Sequence, residues 1–333
     1  MYFSMREKVI MAALSENARA TITELAKIAK CSRPTARRIV ERLEKELELK
    51  FTLEVDPSKL GTLERHIIAI KFKEKPNTGA LESFFSKEKY VHDVYLTEGQ
   101  FDLVVIATAS NPVDYIIWET RMIEELSDYT SSIKPSGIAF LNFGFIPLND
   151  GFVEDISKDI KVDAAERHLL KLLNNDSRMS YQELSKLTGI SENMARYKVF
   201  GLRKKGIIKR FTVAAQRPPQ KYVLSFFENW VYKKDFDNRA AVDRKEMMDF
   251  DKETALLTTY QFSAPLTGGF GNFALALFED KSSAVQDVIE RHKVIYRRDS
   301  LGIAYARVIR ALKGLLPFRN LDVRKNYMVV RWL

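Results

Sequence analysis

The sequence predicts an α+β protein made of two repeats, each a winged helix-turn-helix head followed by a βαββαβ sandwich. Three observations lead there. The chain resembles itself at a fixed offset. Each copy opens with three short helical patterns, the last of them capped and basic. Each copy then continues with alternating aliphatic strands interrupted by helical segments. A chain of 333 residues has room for two or more domains.

The repeat comes first because the other elements hang on it. TITELAKIAKCSRPTARRIVERLEKELELK (21–50) lies on MSYQELSKLTGISENMARYKVFGLRKKGIIK (179–209) without a gap over its core. Glu24 falls on Glu183, an offset of 159, and at that offset Leu25 meets Leu184, Ser32 meets Ser191, Ala36 meets Ala195, Arg37 meets Arg196, Val40 meets Val199 and Leu43 meets Leu202. The shared positions mix core, cap and exposed charge. Two unrelated amphipathic helices would share the apolar stripe alone, so a duplicated unit explains the match better.

In the first copy, Val9, Ile10, Ala13 and Leu14 share a helical face, a polar break follows, and Ile22 to Ala29 form a second short helix. Ser32 can cap a third helix, and Pro34 fits its first turn, where no N–H is needed. Ala36, Ile39, Val40, Leu43 and Leu47 then face inward, leaving Arg33, Arg37 and Arg38 outside with Arg42 one turn on. The second copy repeats this plan. Ser191 caps, Ala195, Val199 and Leu202 face inward, Asn193, Arg196, Tyr197 and Lys198 point out, Gly206 stops the helix, and 207–213 reads as the strand of a wing. A capped, basic third helix fits the DNA major groove. The candidate DNA-binding residues are therefore Arg33, Thr35, Arg37, Arg38, Arg42, Asn193, Arg196, Tyr197 and Lys198. Arg bridges guanine and Asn bridges adenine in a bidentate way, although phosphate is the default partner of any single Arg. The plainer alternative is a solvated charged helix face.

After the first head, 65–73 reads as a strand, GALESFFSK as a helix, 91–110 as two strands joined at Gly99, 113–128 as a helix and 138–145 as the closing strand. That order is ferredoxin-like. The second half reads similarly: a strand at 221–233, a polar helix around 240–248, a hairpin over 255–280, a helix in SAVQDVIERHKVI, a strand at 303–315 and a tail ending in an extra strand. The expected domains are 1–52 and 160–215 for the heads, and 62–148 and 219–333 for the sandwiches.

The bulk numbers narrow the function classes. Hydrophobic residues make up 46% and aromatics 11%, ordinary for a folded protein. The net charge of +9 admits nucleic acid, an anionic membrane or an acidic partner, and selects none. Cys31 is the single cysteine, which rules out an intrachain disulfide and a Cys-rich metal site. No apolar run approaches the roughly 18–20 residues of a membrane span, and the N-terminus runs straight into a charged helical pattern, so a cytoplasmic location without membrane contact is expected.

A winged head, a strand linker and a βαββαβ domain in that order resemble the Lrp/AsnC (leucine-responsive, feast/famine) family of transcriptional regulators. Val55-Asp56-Pro57-Ser58-Lys59-Leu60-Gly61 is similar to the family's linker, and Gly99-Gln100-Phe101-Asp102 to its G-x-x-D turn. Gly269 to Asn272 stands in the equivalent turn of the second half, with Asn for Asp. The resemblance implies a double-stranded DNA partner, homo-oligomers formed through the ferredoxin-like domains, and an amino-acid-like effector held near Gly99, Asp102, Gly269 and Asn272. The plain reading of Gly99 and Asp102 is a hairpin turn with its own internal bonds. Two unlike heads in one chain predict an asymmetric operator.

None of the four histidines, His66, His92, His168 and His292, falls in a metal or catalytic motif, and no phosphate loop is present. The sequence reading is therefore a non-enzymatic regulator with no cofactor. Two alternatives stand beside it. One is a siroheme-decarboxylase-like tetrapyrrole enzyme on the same architecture, for which His92, His292, Arg297, Arg298 and Arg307 would be available. The other is a module that binds proteins of the transcription machinery, favoured by the acidic stretch between Glu41 and Glu54.

Overall fold

The structure is a computed structural model and describes residues 4–60, 64–109, 111–138, 162–215, 222–228, 230–231, 258–268, 270–278, 299–300, 303–314 and 316–317. The first head holds α1 (Met5–Glu16), α2 (Ile22–Ile28) and α3 (Arg33–Leu47), followed by strand β1 (Leu49–Val55). The second holds α6 (Ala164–Asn175), α7 (Tyr181–Thr188) and α8 (Glu192–Lys204), followed by β6 (Ile208–Ala215). The repeat extends to the caps. Ser4 with Glu7 and Thr21 with Glu24 form capping boxes in the first head, and Asp163 with Glu166 and Ser180 with Glu183 form them in the second. Each box satisfies backbone donors that a helix start leaves open. Ser32 and Ser191 cap the third helices, through Thr35 N–H at 3.3 Å and Met194 N–H at 3.2 Å.

The strands that follow the two third helices pair with each other. β1 pairs antiparallel with β6, Thr52 opposite Thr212, so the two heads share one ribbon. A lone strand after a helix has open edges, and the other copy offers a matching edge. Helix α1 packs on β6 and α6 on β1, so each head's first helix lies on the other head's strand. The contacts are reciprocal. Ala18 N–H donates to Phe211 O at 2.9 Å, and Ser177 N–H to Phe51 O at 3.0 Å. Arg19 Nε donates to Ser177 O at 2.6 Å, while Arg178 Nε donates to Ala18 O at 2.7 Å. Each guanidinium lies over an aromatic ring, Arg19 over Phe211 and Arg178 over Phe51. A local two-fold axis thus relates the heads, passing near the Thr52–Thr212 pair.

Below the heads, β2 (Glu64–Phe72), α4 (Thr78–Ser86), β3 (Val91–Gly99), β4 (Leu103–Ala109), α5 (Pro112–Leu126) and β5 (Thr130–Ile138) give the βαββαβ order, with sheet order β3-β4-β2-β5. The second half supplies β7 (Tyr222–Glu228), β9 (Thr258–Gly268), β10 (Phe270–Phe278) and β12 (Ile303–Lys313), ordered β9-β10-β7-β12. Short pairs β8 (Trp230–Val231) with β11 (Asp299–Ser300), and β13 (Leu316–Pro317) on the edge of β6, complete the described strands. The two sheets join at both edges, β5 with β9 and β3 with β12, and close an eight-stranded barrel. Closure removes the open edges that each half would carry alone. Trp118, Phe85, Met122 and Ile68 pack between the sheet and helices α4 and α5. Tyr95, Val104, Ile106 and Val308 belong to the cluster that continues into the heads.

The described closing strand is β5, Thr130–Ile138, which meets the strand expected at 138–145 only at Ile138. Its sequence, TSSIKPSGI, is polar and contains Pro135, so alternation does not reveal it. Pairing to β2 on one side and β9 on the other holds it. Residues 139–145, the helices placed near 240–248 and in SAVQDVIERHKVI, and the tail from 318 lie outside the described residues.

Candidate nucleic-acid interface

On α3, Ala36, Val40, Leu43 and Leu47 are buried, which turns Arg33, Arg37 and Arg38 to solvent. These three arginines have no ion pair among the described residues. Thr35 is half-buried, its hydroxyl 2.9 Å from that of Ser32. Arg42 is engaged inside the head: it pairs with Glu7, whose side chain is 3% exposed, and lies 3.9 Å from Glu46. Glu7 also accepts from Ser4 N–H at 2.7 Å, so one carboxylate both caps α1 and anchors α3.

On α8, Asn193 and Tyr197 are exposed. Arg196 is drawn to Glu192 at 3.1 Å and lies over the Tyr181 ring. Lys198 pairs with Asp163, the N-cap of α6. Burial works against ionisation of Asp163, but Lys198 and the Glu166 and Ala165 amides outweigh it and hold the carboxyl below its ordinary range. The helix ends as the sequence implies, with Gly206 at φ +72°. Here the linker of the first half makes contact. Residues Pro57–Leu60 form a 3-10 turn, Lys59 Nζ donates to Lys205 O at 2.9 Å, and Asp56 N–H donates to Ile207 O at 2.9 Å. The D-P-x-K segment thus caps the C-terminus of the other head's third helix, a role that no local sequence reading reveals.

Two exposed side chains were missed. Met194 and Phe200 share the outer face of α8 with Tyr197, at 45%, 64% and 73% exposure. The signal was available: both fall off the inward stripe of Ala195, Val199 and Leu202.

The residues proposed for an effector are placed as follows. Gly99 has φ +132° and pairs with Ala306, so its turn lies at the seam between the two halves of the barrel. Asp102 is 2% exposed; it accepts from Phe72 N–H at 3.1 Å and pairs with Lys71 at 3.0 Å and Lys75 at 3.2 Å. Asn272 lies on β10, opposite Pro265, and Gly269 lies outside the described residues. Of the histidines, His92 is buried against Thr108, His66 stacks on Tyr115 and His168 is exposed on α6; His292 lies outside the described residues. Among the described residues no group of His, Cys, Asp and Glu could hold a metal ion, and no helix is long and apolar enough to cross a membrane.

Comparison with known proteins agrees with the heads as built. The family described as winged helix-turn-helix DNA-binding matches residues 6–46 and 162–209. The HTH-type transcriptional regulator LrpA of Pyrococcus abyssi is 38% identical over 52 residues, 16% of this chain and 37% of LrpA. Both heads are thus of the winged helix-turn-helix DNA-binding type. FL11 of Pyrococcus horikoshii, another HTH-type transcriptional regulator, is 34% identical over 53 residues, 16% of this chain and 35% of FL11. The chain thus spans about a third of the length of these curated relatives.

The whole chain also has a likeness of fold. The crystal structure of the siroheme decarboxylase NirDL covers 96% of this chain and 96% of its own, at TM-score 0.55 and 13% identity. This is a likeness of fold, and it overturns the expectation that the chain is not an enzyme: the whole two-unit architecture is shared with a protein named as a decarboxylase. The expectation rested on the absence of short motifs, and a site gathered from separate strands leaves none.

Proposed function

We propose that the chain is a DNA-binding transcriptional regulator that sets two unlike helix-turn-helix heads on one duplex. The observation that carries this reading is the trio Arg33, Arg37 and Arg38, exposed and without an ion pair among the described residues at the start of a capped helix in a head of the DNA-binding winged type. Such a trio can meet phosphates or guanine edges without first breaking an internal bond. Asn193 and Tyr197 are the matching contacts of the second head. Arg42, Arg196 and Lys198 contribute after exchange of their internal partners, or act by holding the helices in place. An amino-acid-like effector at the seam near Gly99, and oligomers built through the barrel domains, remain parts of this reading. The test is titration of duplex fragments across a salt series. Arg37→Ala with Arg38→Ala should flatten the slope of log K against log salt by about one unit per lost phosphate contact. An unchanged slope and affinity would count against the first head.

A second reading is favoured by the whole-chain likeness to NirDL: decarboxylation of a tetrapyrrole on the barrel domains. Of the residues offered for it, His92 is buried against Thr108 and Arg307 is paired with Glu98 at 2.6 Å, while His292, Arg297 and Arg298 lie outside the described residues. Adding siroheme and following its absorbance together with CO2 release tests it directly. Turnover would establish it, and no spectral change would remove it.

A further inference from the structure

The outer face of α8 is unlike that of α3. Met194, Tyr197 and Phe200 occupy the positions that Thr35, Arg38 and Glu41 hold one repeat earlier, at the common offset of 159. Tyr197 and Phe200 are 73% and 64% exposed, so neither serves the core of its own head. We infer that the second head reads thymine: Tyr197, Phe200 and Met194 cover the 5-methyl groups of a T-rich half-site in the major groove, with Asn193 beside them to bridge an adenine.

The inference rests on the DNA-binding reading above and adds the base composition of one half-site. Three observations carry it. The face stands on the third helix of a head of the DNA-binding winged type. Its charge suits a polyanion: Glu192 is neutralised by Arg196, and Arg203 and Lys204 are exposed at the far end. The reciprocal pairing of the shared ribbon relates α8 to α3 by a local two-fold, the symmetry with which helix-turn-helix pairs address two half-sites of one duplex. Apolar side chains held out to solvent gain little there. Against thymine methyls they remove apolar area from water, whereas cytosine or uracil offers no methyl in that place.

The experiment uses the full chain and a duplex selected by it from a random library. Deoxyuridine replaces thymidine in one half-site or the other, which deletes the methyl and keeps the hydrogen-bonding edges. In one half-site, binding should weaken about threefold to fivefold for each covered methyl, and in the other it should change less than about 1.5-fold. The penalty should vanish in Tyr197→Ala with Phe200→Ala and persist in Arg37→Ala with Arg38→Ala. Both pairs replace exposed side chains, and circular dichroism checks that the heads stay folded. If the chain selects and retains a duplex yet uracil costs nothing in either half, or the penalty survives loss of Tyr197 and Phe200, the thymine assignment fails while the DNA reading stands. Duplex affinity untouched by that double variant would overturn the inference. Failure to retain any duplex would remove both readings together.

Discussion

Arg42 and Glu7 form the most lopsided ion pair of the first head, one partner half in water and the other buried. Removing the arginine leaves a carboxylate in a low-dielectric place with only its capping bond. Arg42→Ala should therefore destabilise the head by about 1–2 kcal/mol, less than a fully buried pair would lose, because Arg42 keeps much of its hydration. Urea unfolding measures it, and Glu7→Gln in the same chain should recover part of the loss. Lys313 makes a second case. It donates to Phe85 O at 2.9 Å and Glu88 O at 2.7 Å, and burial lowers its pKa to about 8 in spite of Glu88 and Asp93. Between about pH 8 and the ordinary lysine value the unfolded chain holds a proton that the native chain has released, so native stability rises with pH in that window. The stability of wild type relative to Lys313→Met should climb from pH 8 to pH 10; a flat difference would count against a shifted lysine. The pKa of Asp102 is lowered for the opposite reason, because its charged form is the favoured one, and stability again rises with pH. Burial opposes its ionisation, but Lys71, the Phe72 amide and Lys75 prevail and hold it below the usual carboxylate range. Its contribution is complete above the unfolded pKa and lost as pH falls through the lower folded one, so the gap between wild type and Asp102→Asn should close in acid.

At the scale of elements, the helices of the heads were legible and one strand was not. Ser32, Ser191, Pro34 and Gly206 announce helix ends by local chemistry, and the structure places each end there. β5 carries no such announcement, because a polar strand is made by the two neighbours that bracket it. On α8, Met194 and Phe200 are legible as outer residues only by their phase against the inward stripe of Ala195, Val199 and Leu202, since their apolar chemistry alone reads as core. The caps also expose a defect. Where the second head ends its third helix next to Gly206, the first uses Glu48, a residue with a side chain held at φ +47°. Glu48→Gly should relieve that conformation and stabilise the head by roughly 0.5–1 kcal/mol, read as a higher urea midpoint at unchanged slope.

For the whole molecule, the duplication was visible and the way its copies embrace was not. A sequence shows that two strands exist; it does not show that each seeks a partner about 160 residues away (order of the repeat length). Arg19 and Arg178 hold that embrace from opposite sides. Arg19→Ala should accelerate amide exchange at Ala18 and Ser177 and along β1 and β6, and leave β2 and β4 protected as before. Equal acceleration across both regions would mean that heads and barrel open as one unit.

The barrel has its two seams, β5 with β9 and β3 with β12, inside a single polypeptide. In an assembly of separate subunits such seams loosen as the solution is thinned, and an altered subunit meets itself as readily as its counterpart. Here dilution cannot part the halves. A substitution in one half never faces its own mirror copy across the seam, so each half is at liberty to diverge without its twin having to follow.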